Sequence, residues 1–324
     1  MQYYSKTQKF LHDLVLSKNI INKSLFEIEK VICLKNMDIK DQNHIFITGL
    51  PRSGTTSLLN FIYSSNQYAS LTYKSMPFIF SPNFSKFFNN KNISKKERIH
   101  NDGITYDMNS PEAFDEVFFK TDEKFIKKEL VNYIQLICLS ENKIKYLSKN
   151  NLNYNRIDLI SNFFPNCNFL ISIREPLQHS YSLLKQHLNF SNLQKNDDFI
   201  RRYMNYLGHN EFGLNHKPWN NPVNYHDLSG LNYWLEQWSL FYQNIINQYQ
   251  FYKNCHFIFY EELTNIKYLK ILLEKINFNE IDNMDLKYFK NSNKKELAVD
   301  FSNDVYENAC NIYKDFKDKF MLKQ

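Results

Sequence analysis

Apolar side chains recur three and four positions apart over residues 5–35, at Phe10, Leu14, Ile21, Leu25, Ile28 and Ile32. This spacing predicts one or two amphipathic helices laid on the main body by that face. The pattern changes at His44. Ile45–Ile47 is a short apolar run ending in a glycine turn, and Ser57–Tyr63 continues into a helix. A second strand is expected at "YASLTY", before Pro77. Residues 81–109 are polar and rich in Lys and Asn, which suggests an irregular insertion or lid on the substrate side. "SPEAFDEVFF" then opens a long helix running to about residue 141, with Ser110 as cap, Pro111 in the first turn and Glu112 complementing the dipole. "IKYLSKN" reads as a strand, "NRIDLISNFF" as a helix, "CNFLISIRE" as a strand and "PLQHSYSLLKQHL" as a helix with proline in its first turn. Helices dominate from there to "CHFIFYEEL", a strand that runs into another helix.

The strands are continuous apolar runs and alternate with helices. An α/β fold is therefore expected: a central, mainly parallel sheet flanked by helices, with helical insertions. No repeat or composition shift marks a boundary, so residues 1–324 read as a single domain with residues 1–40 packed onto it. Of the side chains, 43% are hydrophobic, enough for a substantial core. The formal charge of +6 suits an anionic ligand but is too dispersed for a nucleic-acid face. Cys33, Cys138, Cys167, Cys255 and Cys310 are odd in number and far apart, which argues against a disulfide framework or zinc site and fits a reducing cytoplasm. "MQYYSKTQKF" lacks the pattern of a secretory leader, and no apolar run approaches the roughly 20 residues that span a bilayer.

The informative stretch is "HIFITGLPRSGTTSLLNFI". Gly49 and Gly54 bracket Leu50, Pro51, Arg52 and Ser53 between a strand and a helix. This matches the first part of a Walker loop, where backbone N–H groups and a helix N-terminus cradle phosphate. Thr55 stands where that motif requires lysine. The missing lysine would bridge the β and γ phosphates of a triphosphate, and such charge-assisted contacts are worth about 1.5–3 kcal/mol. Arg52 offers a planar cation two positions earlier, suited to one 5′ phosphate carrying a singly charged terminal group.

"PRSGTT" after a strand resembles the 5′-phosphosulfate loop of sulfotransferases that use PAPS (3′-phosphoadenosine 5′-phosphosulfate), a P-loop fold. "FLISIREPLQHSYSLLKQH" is similar to the family's strand–Arg–helix–Ser unit, and the resemblance implies that Arg174 and Ser182 hold the nucleotide's 3′ phosphate. Read without the family, Arg174 could instead pair with Glu175. "YLSKNNLNYNRIDLISNFFPNCNFLISIRE" resembles the tyrosylprotein and carbohydrate branches, which implies Lys149 near the transferring group. "RIHNDGITYDMNSPEAFDEVFF" resembles a bacterial branch, and "FIFYEEL" the strand end that closes the nucleotide site, implying a role for Tyr260. The resemblance runs from about residue 44 to 265. It implies PAPS as donor, PAP as product, no essential metal, and a donor site built from Pro51, Arg52, Ser53, Gly54, Thr55, Thr56, Ser57, Arg174, Ser182 and Tyr260.

The implied reaction moves a sulfuryl group to an acceptor hydroxyl, with a carbohydrate or glycan precursor as the expected acceptor. Arg52, the loop amides and Lys149 would stabilise the transition state. The glutamate that tyrosylprotein enzymes place after the second strand is missing from "LTYKSMPF". The candidate general bases are therefore His100, Asp102, Glu112 and Glu116, with Asp102 or Glu112 favoured; the two glutamates are expected on one helix face, where a solvated surface role is the alternative. Single histidines such as His187 and His209 read as structural or surface residues, and Trp234 and Trp238 as core. A kinase-like phosphotransferase and a non-catalytic nucleotide-binding module stay open as alternatives.

Overall fold

The computed structural model describes residues 5–35, 37–88, 95–98, 103–221, 223–278, 286–289 and 299–321. The strands are β1 (Ile45–Thr48), β2 (Tyr68–Ala69), β3 (Lys96–Glu97), β4 (Thr105–Tyr106), β5 (Lys145–Lys149), β6 (Asn168–Ile173) and β7 (Cys255–Phe259). The helices begin with α1 (Lys6–Leu16), α2 (Asn19–Cys33), α3 (Thr55–Tyr63), α4 (Pro82–Phe88), α5 (Glu116–Phe119) and α6 (Glu123–Ser140). They continue with α7 (Ile157–Phe163), α8 (Pro176–Asn196), α9 (Asp198–Leu207), α10 (Leu231–Tyr249), α11 (Ile266–Lys275) and α12 (Asn303–Phe320).

Five strands form one sheet in the order β2-β5-β1-β6-β7, and every pairing in it is parallel. Their apolar runs are buried on both faces because helices cover both sides, as expected for a parallel sheet. β1 lies between β5 and β6, so the loop after β1 opens at the point where the chain can turn to either side. Ligands bind at such positions in open α/β sheets. α10 packs against α8 and α12, and Trp234 and Trp238 are fully buried there. None of the five cysteines is in a disulfide. Among the described residues, no helix is long and apolar enough to cross a membrane.

Three expectations are corrected. The helix expected from Ser110 does not start there. Ser110 closes a turn with Asp107, Pro111 bridges to Thr72, and the Glu112 amide donates to Leu71 O at 3.0 Å. The segment is held extended, and α6 begins only where Asp122 caps the amide of Phe125 at 2.9 Å. Residues 81–109 are not wholly irregular, since they contain α4 and the antiparallel pair β3–β4.

The apolar face expected to seat the N-terminal helices points largely outward, with Phe10 and Ile32 each 66% exposed. The buried face carries His12, Val15 and Leu16 on α1, and Asn22, Phe26 and Glu29 on α2. The reason is polar. The Glu29 carboxylate accepts the Asn83 and Phe84 amides at the start of α4, at 3.1 and 2.9 Å. Asp13 accepts hydrogen bonds from Arg202 and Tyr206 on α9. Those bonds fix which side of each helix faces inward.

Candidate functional site

The loop from Gly49 to Gly54 is built by backbone geometry. Gly49 has φ 131° and Gly54 φ 92°, and Arg52 between them sits at φ 72°. A Cβ on Gly49 would lie 2.6 Å from Ser172 O, and one on Gly54 2.3 Å from the Tyr260 ring. Glycine is therefore required twice, by conformation and by close approach. Gly54 caps α3, whose first amides, from Thr55 onward, have no partner within the helix. With the positive end of the helix dipole, these amides make a concave anion site.

Residues far along the chain hold the loop from behind. Ser172 Oγ donates to Ser53 O at 2.6 Å, and Ser53 Oγ donates to Leu50 O at 2.7 Å. Trp238 Nε1 donates to His179 Nδ1 at 3.1 Å, so the proton sits on His179 Nε2, which donates to Pro51 O at 2.8 Å. Burial, aided by the nearby charges of Arg174 and Arg52, holds the His179 pKa down at about 3. This ring is a neutral, fixed-tautomer strut.

Arg174 follows the end of β6. Its guanidinium does not pair with Glu175. Nη1 donates to Arg52 O at 3.1 Å, and the group lies 4.8 Å over the Tyr260 ring. Glu175 instead caps α8 by accepting the Gln178 amide at 2.8 Å. Arg52 Nε donates to Ser182 Oγ at 3.2 Å. Arg52, Arg174, Ser182 and Tyr260 thus meet at one edge of the loop. Arg174 Nε is buried without a hydrogen-bond partner among the described residues, which leaves a donor suited to an anion.

A cleft open to solvent continues from the loop. Pro51, Arg52, Thr55 and Thr56 line it on one side, with Lys149 at the end of β5. Lys149 is almost fully buried, and burial lowers its pKa although Glu112, 3.9 Å away, opposes the shift. Glu112 also accepts from Arg98 at 2.5 Å, from the Tyr73 hydroxyl at 3.3 Å and from the Ala113 amide at 3.0 Å. His209 and Glu211 line the same cleft, with Nδ1 of the histidine 3.6 Å from the carboxylate. Burial pushes the His209 pKa down, but the attraction of Glu211 outweighs it and the pKa is raised. Burial likewise works against the Glu211 carboxylate, yet His209 holds its pKa down to about 2.

The sequence of residues 44–267 matches the model of the sulfotransferase family. The chain belongs to that family. Among solved structures, the chain is similar to sulfotransferases at low identity. STF1 from Mycobacterium tuberculosis H37Rv is 11% identical, with 90% of this chain and 77% of that chain covered and a TM-score of 0.46. A sulfotransferase from Alicyclobacillus acidocaldarius is 13% identical, with 86% and 94% covered and a TM-score of 0.39. The sulfotransferase domain of the curacin biosynthetic pathway is 13% identical, with 84% and 98% covered and a TM-score of 0.38. No curated protein sequence matches the chain.

In this member of the sulfotransferase family, the expected donor-site residues Pro51, Arg52, Ser53, Gly54, Thr55, Thr56, Ser57, Arg174, Ser182 and Tyr260 lie on the loop, on α3, or on the strand and helix ends around them. Lys149 and Glu112 lie in the adjoining cleft. Glu116 does not share a helix face with Glu112 and is not open to solvent. It is buried, accepts from Arg156 and Asn150, and with Asp115 braces the end of β5. His100 and Asp102 lie outside the described residues.

Sequence reasoning read His209 as a structural or surface residue and did not single out Glu211, Arg98 or His179. The signal for the first two was present in "LGHNEFG", a histidine and a glutamate two apart between glycines. Gly208 and Gly213 both take positive φ and turn that short segment toward the cleft.

Proposed function

We propose that this chain transfers the sulfuryl group of PAPS to an acceptor hydroxyl, releasing PAP. The observation that carries this reading is the convergence of Arg52, Ser182 and Arg174. Two cationic side chains and a hydroxyl, drawn from the loop after β1 and from the strand and helix around position 174, meet through hydrogen bonds of 3.1 and 3.2 Å. One bisphosphorylated adenosine can span such a site, with its 5′ end on the loop amides and its 3′ phosphate toward Arg174 and Ser182. A triphosphate would lack the loop lysine that Thr55 replaces.

In the transfer, the S–O bond to the 5′ phosphate breaks as a new S–O bond forms to the acceptor oxygen. The bonding pair of the broken bond stays on the phosphate oxygen of PAP. Arg52, the amides of Gly54 to Thr56 and Lys149 offset the charge that grows there. The acceptor proton needs a base. Among the sequence-derived candidates, Glu112 is occupied by Arg98, Tyr73, Lys149 and the Ala113 amide. We assign the role to His209. Its Nδ1 lies 3.6 Å from the Glu211 carboxylate, and the imidazole takes the acceptor proton. No metal enters this scheme, and a reducing cytoplasm suits the free cysteines.

Calorimetric titration with PAP, and separately with ATP and magnesium, tests the donor. Metal-free PAP binding without an ATP response supports the reading, and the opposite pattern overturns it. Transfer of label from ³⁵S-PAPS to an acceptor separates an enzyme from a binding module.

A further inference from the structure

The cleft is divided by chemistry. Its polar groups come from the loop, from Lys149 and Asn151 at the β5 end, from His209 and Glu211 after α9, and from the segment that carries Tyr73, Arg98, Tyr106 and Glu112. One wall is apolar and comes from the far part of α8, from α9 and from the following turn: Phe190, Ile200, Tyr203, Met204, Leu207 and Phe212. Each of these six side chains is more than nine-tenths buried while lining the cleft. The polar side-chain atoms on that wall are the Tyr203 hydroxyl and the Met204 sulfur, and the sulfur already accepts from Gln194 Nε2 at 3.1 Å.

Resting on the sulfuryl-transfer reading, we infer that the acceptor is an amphiphilic alcohol: one hydroxyl on an apolar body, aromatic or alkyl, with no ring of hydroxyls. A saccharide carries hydroxyls around its whole rim. Against this wall most would lose water without gaining a partner, which is unfavourable for each group. An apolar body gains from leaving water in proportion to the area buried. The hydroxyl is then directed to the polar end, where Lys149 and His209 lie. This departs from the carbohydrate expectation drawn from the resemblance.

The test uses the full chain with ³⁵S-PAPS and four probes: 2-naphthol, 1-octanol, methyl β-D-glucopyranoside and N-acetylglucosamine. PAP binding is measured first, because its failure rejects the donor reading rather than the acceptor class. With PAP bound, kcat/KM for 2-naphthol or 1-octanol is expected to exceed that for either sugar by about tenfold or more. Equal or better use of a sugar overturns the inference. So does the absence of both sulfation and calorimetric binding for the two apolar probes on the PAP complex.

Leu207→Asn should lower kcat/KM for 2-naphthol by about tenfold with PAP affinity unchanged, and Leu207→Met should retain the rate. An unchanged 2-naphthol rate in a PAP-binding Leu207→Asn variant counts against the wall. If that variant no longer binds PAP, the ranking of the four probes on the natural protein decides.

Discussion

Ser182 accepts a hydrogen bond from Arg52 Nε at 3.2 Å, across 130 residues of chain. That single bond joins the loop after β1 to the helix after β6, and Arg174 ties the same two pieces together by donating to Arg52 O. The three residues act as one frame, so their substitutions should not be additive. Arg174→Lys removes the planar fork and its bond to the loop. PAP affinity should fall by about tenfold to a hundredfold, the equivalent of about 1.5–3 kcal/mol. Ser182→Ala should cost less alone and almost nothing further in the Arg174→Lys background. Fully additive losses in a calorimetric double-mutant cycle would show that the frame does not exist.

Gly54 is constrained both by its backbone conformation and by its neighbour. Alanine there takes φ near 92° and drives its Cβ to 2.3 Å from the Tyr260 ring, which also lies against the Arg174 guanidinium. Backbone strain alone costs about 1–3 kcal/mol. Gly54→Ala should lower the thermal midpoint and weaken PAP binding together. Tyr260→Ala in the same chain should recover part of the stability, because it removes the obstacle but leaves the strain. A Gly54→Ala protein with unchanged melting and PAP affinity would refute the close packing.

The parts of this molecule that could be read from sequence are those whose cause is local. Strand, glycine turn and helix at 45–63, and strand, Arg174, Pro176 and helix at 168–196, are set by neighbouring residues. What misled was long-range. The N-terminal helices showed a regular apolar face, but Glu29 and Asp13 draw the other face inward through partners more than fifty residues away. Ser110 and Pro111 carried a good helix start until Thr72 and Leu71, distant in sequence, paired with that segment. His209 read as solitary although Glu211 stands two residues on, because Lys149, from β5, joins the pair only in the folded cleft.

Glu29 gives a prediction outside the cleft. Its carboxylate accepts two backbone amides at the start of α4, and Asn83 Nδ2 donates to it at 2.8 Å. Glu29→Ala leaves these buried donors unpaired, at about 1–3 kcal/mol. The thermal midpoint should drop while PAP affinity stays unchanged. An unaltered melting curve would mean that α4 does not depend on this cap.

Glu112 holds Arg98 at 2.5 Å and faces Lys149 at 3.9 Å, all three at most one-tenth exposed. Removing one partner of a buried pair typically costs about 3–5 kcal/mol, because the remaining charge has no counter-ion. Glu112→Ala should therefore destabilise strongly. Glu112→Gln retains the shape and should lose less, but it removes the attraction that opposes burial at Lys149, so the lysine's pKa should fall further. The alkaline limb of the rate profile would then move to lower pH if Lys149 must be charged. A limb that does not move would exclude Lys149 as the titrating acid.

The pH profile on the acid side tests His209. As a base it must be neutral, and its pKa lies above the ordinary histidine value because Glu211 outweighs burial. Protonation below that pKa silences it, so kcat/KM should rise with pH through a pKa above about 6.5. Glu211→Gln removes the attraction and leaves burial, which favours the neutral ring. The acid limb should shift to lower pH, and the plateau should fall because the imidazole loses its orienting carboxylate. His209→Gln should abolish that limb and reduce kcat by about 10²–10⁴-fold while PAP affinity holds. Glu211 itself cannot supply the limb, since its pKa is held at about 2. The assignment fails if the acid limb is the same in the natural protein and in Glu211→Gln, or if it survives in His209→Gln.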